Sequence, residues 1–179
     1  MTVETSVPTL ASLEAIPYLT EAGQIPEAFE GKVGIYAIYD RQQQLQYVGF
    51  SRDVAVGLKQ HLVRRPNACY WVKMQAVERP SRTLLEGIRN AWIAENGTVP
   101  PGNAADQDAW EKPIDAKQQM TDDERAAIAK ADGVQEIKLL KNVARRVQAE
   151  VLEALKARGA EMDLRFNPKL KESGLLDLK

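Results

Sequence analysis

The sequence contains a single cysteine, Cys69, so an internal disulfide has no second partner. A zinc site built mainly from cysteines is excluded for the same reason. One cysteine in a chain of 179 residues fits a reducing compartment. We therefore expect the protein to lie in the cytoplasm.

Long apolar runs are also missing, and none approaches the roughly 18 residues that a membrane-spanning helix needs. The first residues do not combine a basic region with an apolar stretch, so we expect no secretory signal. Hydrophobic residues make up 44% of the chain and charged residues 27%, which is the composition of a soluble globular protein. We expect an intracellular protein with no membrane role.

The chain as a whole has no excess of positive charge, because its formal net charge is −1. Domains that bind nucleic acid usually carry such an excess. Residues 51–90 differ from this average, with eight basic residues against three acidic ones and a net charge of +5. This local excess predicts either a surface that binds nucleic acid or ordinary solvated helix faces.

Two apolar triplets organise the chain, Gly34-Ile35-Tyr36 and Tyr47-Val48-Gly49. Each lies in a run rich in β-branched and aromatic residues, and the polar stretch 41–44 between them predicts the turn of a β-hairpin. Side chains alternate along a strand, so Tyr36 and Tyr47 share a face only if Tyr47 lies opposite an even-numbered residue such as Ile38.

The next segments predict helix, strand and helix. Asp53 is the expected cap of the first helix, and residues 68–77 read as a third strand. Ser81 is the expected cap of the second helix, which Gly97 ends. The fold class is therefore α+β, a three-stranded antiparallel sheet flanked by helices, with a helical C-terminal extension. The expected organisation is an N-terminal arm (1–31), this domain (32–104), a linker (105–119) and a mainly helical extension (120–179).

In the extension, Thr121 and Glu124 have the spacing of a capping box at the start of a helix. A second helix is expected from about Val134 to Arg158, with an apolar stripe along it. Such a stripe must be buried, either on the core domain or against a second copy in a homodimer. Its members are Ile137, Leu140, Ala144, Val147, Val151, Ala154 and Leu155.

Taken together, the two triplets, the following Ser51, the helical His61 and the later helical Glu86 resemble the GIY-YIG nuclease family. The resemblance covers roughly residues 32–103. The segment Val99-Pro100-Pro101-Gly102-Asn103 extends it to GIY-YIG-like proteins of cyanobacteria and to the N-terminal domain of plant chloroplast glutaredoxins. It implies a three-stranded antiparallel sheet and hydrolysis of DNA phosphodiester bonds with one divalent metal ion.

The resemblance also implies roles for individual residues. Tyr36 would help to activate water with Tyr47 beside it, His61 would supply hydrogen bonding or proton transfer, and Glu86 would ligate Mg²⁺ or Mn²⁺. A hard cation prefers carboxylate oxygen, and a phenol with a pKa near 10 needs a metal ion or a basic neighbour to act as a base. The residues expected to bind the substrate are Arg52, Lys59 and Arg89.

One position departs from the family pattern. The nucleases place an arginine ten residues after the tyrosine of the second triplet, where this chain has Gly57. Glycine offers neither the charge nor the paired hydrogen bonds of a guanidinium, although Arg52 or Arg89 is a possible substitute. Two functions stay open, a metal-dependent DNA endonuclease and a catalytically inactive GIY-YIG fold that binds nucleic acid, RNA included, or protein.

Each candidate residue also has a purely structural interpretation. Tyr36 and Tyr47 are then ordinary sheet aromatics, and His61 is a partly buried helix residue. Glu86 is then an ion-paired helix residue with Arg82 or Arg89 as its partner.

Overall fold

A computed structural model describes residues 7–179 of the chain. The chain divides into two compact units, one ending at Trp110 and one beginning at Glu111. The domain boundaries expected at residues 104 and 119 stay predictions. Within residues 7–179, no helix has both the length and the apolar character needed to cross a membrane.

The first unit is built on an antiparallel sheet, which confirms the predicted α+β class. Its strands follow the order β1-β4-β2-β3 across the sheet. The sheet thus has one more strand than the three expected, because the two-residue β1 pairs with the outer side of β4 through Ile16 and Val72. The elements of this unit are β1 (Ile16–Pro17), β2 (Gly34–Tyr39), β3 (Leu45–Ser51), α1 (Val54–Arg64), β4 (Trp71–Ala76), α2 (Arg82–Asn96) and α3 (Gln107–Glu111).

The hairpin of β2 and β3 has the register that the sequence left open. Ile38 lies opposite Tyr47, and Tyr36 lies opposite Gly49, so both tyrosines point to the same face of the sheet. The turn is held by the Asp40 carboxylate, which accepts hydrogen bonds from two backbone amides of the segment 42–44. The observed register therefore places both phenols on one face.

The two helices after the hairpin cover opposite faces of the sheet. Leu85, Ile88 and Trp92 of α2 pack against Ile35 and Val48 on the face that lacks the tyrosines. Helix α1 covers the tyrosine face, where Gly57 lies beside the hydroxyl of Tyr36. The alternation of side chains along β2 and β3 thus separates the core under α2 from the group of Tyr36 and Tyr47 under α1.

The helix ends in this unit follow the predicted capping residues. The Asp53 carboxylate accepts from the amides of Ala55 and Val56 at the start of α1. The hydroxyl of Ser81 caps α2, and Gly97 ends that helix with a φ of 87°, a left-handed conformation that glycine adopts without strain. These local signals place α1 and α2 without reference to the rest of the chain.

The second unit is mainly helical, as the predicted C-terminal extension requires. The capping box of Thr121 and Glu124 is formed at the start of its first helix. The long helix begins at Gly133, with Asp132 as its cap, rather than just after that glycine. The elements are β5 (Ile114–Asp115), α4 (Asp122–Ala129), α5 (Gly133–Arg158), α6 (Pro168–Lys171) and β6 (Leu175–Leu176).

The apolar stripe of α5 is buried over only part of its length. Of its members, Ala144, Val147 and Leu155 are buried, whereas 42% of Ile137 is exposed. Val143, which was not predicted to belong to the stripe, is also buried. Within the second unit, α5 packs against α4, α6, β6 and the short 3₁₀ segment 116–119. Much of the stripe is therefore covered inside the unit itself, and the homodimer stays a prediction.

Candidate functional site

Tyr36 of β2 and His61 of α1 form a buried hydrogen-bonded pair. The phenolic oxygen lies 2.8 Å from Nε2 of the imidazole. Only 3% of Tyr36 and 5% of His61 are exposed. Helix α1 can approach the strand closely here because Gly57 has no side chain to hold it away.

The other imidazole nitrogen fixes the direction of this hydrogen bond. Nδ1 of His61 lies 3.0 Å from the backbone carbonyl oxygen of Trp110. A carbonyl only accepts, so the Nδ1–H group donates to it, and in the neutral ring Nε2 is then the acceptor. The hydroxyl of Tyr36 therefore donates a hydrogen bond to Nε2 of His61.

The environment keeps His61 uncharged at neutral pH. The pKa of His61 is lowered to about 3, mainly by burial and further by the nearby charge of Arg64. The hydrogen bond to the Trp110 carbonyl acts in the opposite direction. Arg64 itself donates from Nη1 to that same carbonyl at 2.8 Å. With its pKa lowered in this way, the neutral imidazole accepts a hydrogen bond but is a weak base, and this side chain is not a cationic phosphate ligand.

Tyr47 completes the group from β3. Its ring centre lies 4.7 Å from that of His61 and 6.3 Å from that of Tyr36. The indole of Trp110 stacks on Tyr47 with 5.2 Å between ring centres and 4° between planes. We call these four residues the Tyr36 cluster: Tyr36, Tyr47, His61 and Trp110.

The Tyr36 cluster is closed to solvent. Tyr47 is 6% exposed, and Trp110 is completely buried. Nε1 of Trp110 is also buried and has no hydrogen-bond partner within residues 7–179. A buried donor without an acceptor costs about 1–3 kcal/mol, so the indole is held in place by stacking and burial alone.

The segment from Gly102 to Trp110 is attached to the free edge of β3. The side-chain oxygen of Asn103 accepts from the amide of Val48 at 2.8 Å, and its Nδ2 donates to the carbonyl of Val48, also at 2.8 Å. The amide side chain thus pairs with the strand as a neighbouring strand would. Gly102 lies so close to the backbone of Gln46 that an added Cβ would come within 2.6 Å of its carbonyl oxygen.

Glu86 does not join the Tyr36 cluster. It lies on α2, and among residues 7–179 its recorded ion pair is with Arg82, at 2.8 Å. The expectation of an ion-paired helix residue is confirmed in this respect. The hydrogen bond from Arg82, and then the charges of Arg82 and Arg89, lower the pKa of this carboxyl.

These surroundings suit a divalent metal ion poorly. Two guanidinium groups next to the carboxylate of Glu86 repel a cation. Within residues 7–179, no three acidic, histidine or cysteine side chains gather in positions that could hold a metal ion. The expectation of Mg²⁺ or Mn²⁺ at Glu86 therefore stays a prediction for which the present geometry offers no additional ligand.

The three expected substrate-binding residues are separated. Arg52 is exposed just after β3, and Lys59 is half-buried on α1. The guanidinium of Arg89 lies 5.5 Å from the ring centre of Phe50, on the α2 side of the sheet. The structure thus brings Tyr36, Tyr47 and His61 together, and it leaves the predicted carboxylate and the cations outside this group.

Sequence reasoning missed two residues of the site, Trp110 and Asn103. Both lie beyond the strands and helices that predicted the hairpin, and Trp110 falls in the polar stretch expected to be a linker. The signal that could have found them is chemical: a tryptophan in a polar stretch is expensive to expose, and an asparagine after two prolines can pair with a strand edge.

No protein-family model matches the chain. The chain is similar to the bifunctional monothiol glutaredoxin-S16, chloroplastic, of Arabidopsis thaliana, with 37% identity over 114 residues. This similarity covers 62% of the chain but only 37% of that protein. The chain thus corresponds to a part of that relative, and its fold is compatible with a GIY-YIG-like domain.

Proposed function

We propose that this chain carries a GIY-YIG-type domain that binds nucleic acid and does not cleave it while the Tyr36 cluster is closed. The observation that carries the proposal is the burial of that cluster beneath Trp110. A general base must come within hydrogen-bond reach of the water or hydroxyl that it activates. In the closed arrangement, no phosphodiester can approach Tyr36 or His61.

Two further observations support binding without cleavage. Gly57 stands where the resemblance predicts the arginine that holds the scissile phosphate, and its Cα faces the hydroxyl of Tyr36. The carboxylate expected to hold a metal ion is paired with Arg82. Loss of one group that stabilises the transition state typically lowers a rate by about a hundredfold or more. The missing arginine, together with the burial of Tyr36 and His61, leaves the fold without an efficient hydrolytic site.

Nucleic acid is the proposed partner because of the charge on residues 51–90 and the family resemblance. Arg52, Arg79 and Arg82 of this region are exposed, and the region carries a net charge of +5. Guanidinium groups recognise phosphate with paired hydrogen bonds and keep their charge at any physiological pH. The resulting affinity would depend on the phosphate backbone rather than on base sequence.

Fluorescence anisotropy with labelled duplex DNA and single-stranded RNA tests this binding. We expect affinity at about 50 mM salt that falls steeply by about 200 mM, because bound phosphates release counterions. The double variant Arg52→Gln/Arg79→Gln should weaken binding. Arg41→Gln, which removes one positive charge from the exposed hairpin turn, should have little effect. Absence of binding at low salt would contradict the proposal and favour a protein partner.

Incubation with supercoiled plasmid and Mg²⁺ or Mn²⁺ tests the absence of cleavage. We expect the wild-type protein to nick plasmid no faster than the double variant Tyr36→Phe/Glu86→Ala. The Arg41→Gln variant serves as the control for protein preparation. If the wild-type protein nicks plasmid and the double variant does not, the domain is a metal-dependent endonuclease.

A second candidate function is an endonuclease that acts only after Trp110 is displaced. It is favoured by the direction of the Tyr36–His61 hydrogen bond, which gives the phenol a neutral proton acceptor. The Trp110→Ala variant should then nick plasmid in the presence of metal ion, and Trp110→Ala/Tyr36→Phe should not. Equal, background-level nicking by both variants would exclude this candidate.

A further inference from the structure

The second unit contains a basic cavity that is unrelated to the Tyr36 cluster. Its volume is about 390 Å³, within the range of pockets that bind small molecules in proteins. Two of its side chains come from α5 and the others from α6 and the residue after it. The lining residues are Lys141, Arg145, Pro168, Lys169, Lys171 and Glu172.

The arrangement of the basic side chains follows from secondary structure. Lys141 and Arg145 are four residues apart on α5, so they lie on the same face of that helix. Lys169 and Lys171 are held by α6, whose first turn is capped by the side chain of Asn167. Two separate helical elements thus direct cations to one cavity.

The charges in the cavity are unbalanced. Lys141 pairs with Glu172, with 3.4 Å between Nζ and Oε1. Arg145, Lys169 and Lys171 have no ion-pair partner within residues 7–179. Four basic groups and one acidic group leave a net charge of +3 around the cavity.

The pKa of Lys171 agrees with this imbalance of charge. It is lowered, mainly by burial and secondly by the charge of Arg145. Both causes oppose the charged form, and a bound anion would counteract the second. The cavity therefore has cations near one another that no carboxylate of the described chain offsets.

We propose that this cavity binds a phosphate group carried by a nucleotide or by nucleic acid. Arg145 offers paired hydrogen bonds to phosphate oxygens, and Lys169 and Lys171 offer compact positive charges. Pro168 and the methylene stems of the lysines form an apolar wall against which a sugar or base can lie. The inference goes beyond the function proposed above, because that function concerns residues 51–90 of the other unit.

Titration of the full chain with inorganic phosphate, with adenosine monophosphate and with a labelled oligonucleotide tests the site. We expect affinity for at least one of these probes that weakens between about 50 and 200 mM salt. The double variant Arg145→Gln/Lys171→Gln should reduce that affinity by about tenfold or more. Lys156→Gln, an exposed position farther along α5, should change it less than about twofold.

The three probes separate the possible sources of the phosphate group. Response to the mononucleotide, with the same dependence on Arg145 and Lys171, indicates a nucleotide site, and response to the oligonucleotide alone indicates a backbone site. A third outcome is oligonucleotide binding that is lost in Arg52→Gln/Arg79→Gln and kept in Arg145→Gln/Lys171→Gln. This outcome would contradict phosphate binding in the cavity and support the function proposed above. Failure of all three probes to bind would also contradict phosphate binding in the cavity.

Discussion

The indole of Trp110 lies parallel to the ring of Tyr47, with 4° between the planes and 5.2 Å between the ring centres. Its backbone carbonyl accepts a hydrogen bond from Nδ1–H of His61. Nε2 of the same ring accepts a hydrogen bond from the hydroxyl of Tyr36. One residue thus covers the aromatic face of the sheet and fixes the tautomer of the imidazole beneath it. Burial keeps His61 neutral, whereas the hydrogen bond to the Trp110 carbonyl favours the protonated ring.

Replacement of Trp110 should measure how much its buried, stacked ring contributes to stability. Trp110→Ala should lower the free energy of unfolding by about 3–5 kcal/mol, because a fully buried aromatic side chain is lost. Trp110→Phe should cost about 2 kcal/mol less than the alanine variant, because it keeps a ring on Tyr47 and removes the unpartnered indole N–H. Urea denaturation of both variants measures the difference.

The accessibility of the cluster provides a second measurement on the same variants. His61 is the single histidine of the chain, so diethylpyrocarbonate modification at histidine reports on this site alone. We expect slow modification of the wild-type and Trp110→Phe proteins and fast modification of Trp110→Ala. Rapid modification of the wild-type protein would show that the cluster is open in solution.

The low pKa of His61 should make stability depend on pH between about 6.5 and 5. In the folded state the ring stays neutral down to about pH 3, whereas in the unfolded chain it takes up a proton below about pH 6.5. The unfolded state therefore binds more protons, and stability falls as pH falls. The expected loss is about 1 kcal/mol per pH unit in this window, measured by urea denaturation at several pH values.

A variant without the imidazole separates this effect from other titrations. His61→Gln should unfold with a flatter dependence on pH between about 6.5 and 5, whatever its absolute stability. The histidine signal of the folded wild-type protein should not titrate above pH 5 in an NMR experiment. A measured pKa near the ordinary value of about 6.5 would mean that His61 is solvated in solution.

The hairpin could be predicted from sequence because its signals are local. Alternation, turn residues and the two triplets lie within residues 33–51, and the open question, whether Tyr47 faces Ile38, had only two answers. Helical spacing likewise limited the ion-pair partner of Glu86 to Arg82 or Arg89, and Arg82 is the partner in the structure. Short-range geometry determined each of these features.

The closure of the site could not be predicted in this way. Trp110 is 49 residues from His61 in sequence, and its position depends on how the segment after α2 returns to the edge of β3. The side of the sheet that α2 covers also depends on packing, since an amphipathic helix can pack on either face. Whether Glu86 lies beside Tyr36, Tyr47 and His61 therefore depended on packing that the local sequence does not determine.

Asn103 should be as important for closure as Trp110. Asn103→Ala removes both hydrogen bonds to Val48 and leaves a partly buried amide and carbonyl without their partner. We expect a loss of about 2–3 kcal/mol and faster modification of His61. Asn103→Asp keeps the acceptor for the Val48 amide but places a charge against the carbonyl, so it should not restore stability. Wild-type stability in the alanine variant would show that the edge pairing is dispensable.

A matched pair of glycine substitutions tests how tightly α1 lies against Tyr36. Gly57 and Gly87 both lie inside helices, where replacement by alanine ordinarily stabilises by about 0.5–1 kcal/mol. An added Cβ at Gly87 would meet nothing within 4 Å, so Gly87→Ala should show this full gain. At Gly57 it would lie 3.1 Å from the Tyr36 hydroxyl and 3.3 Å from Cβ of Ser51.

Tyr36 can yield little space to a side chain at position 57, because its ring is buried and its hydroxyl is bonded to His61. Gly57→Ala should therefore lose the helix-propensity gain and be at least about 1 kcal/mol less favourable than Gly87→Ala. Urea denaturation of both variants measures this difference directly. An equal gain at the two positions would show that α1 can move away from Tyr36.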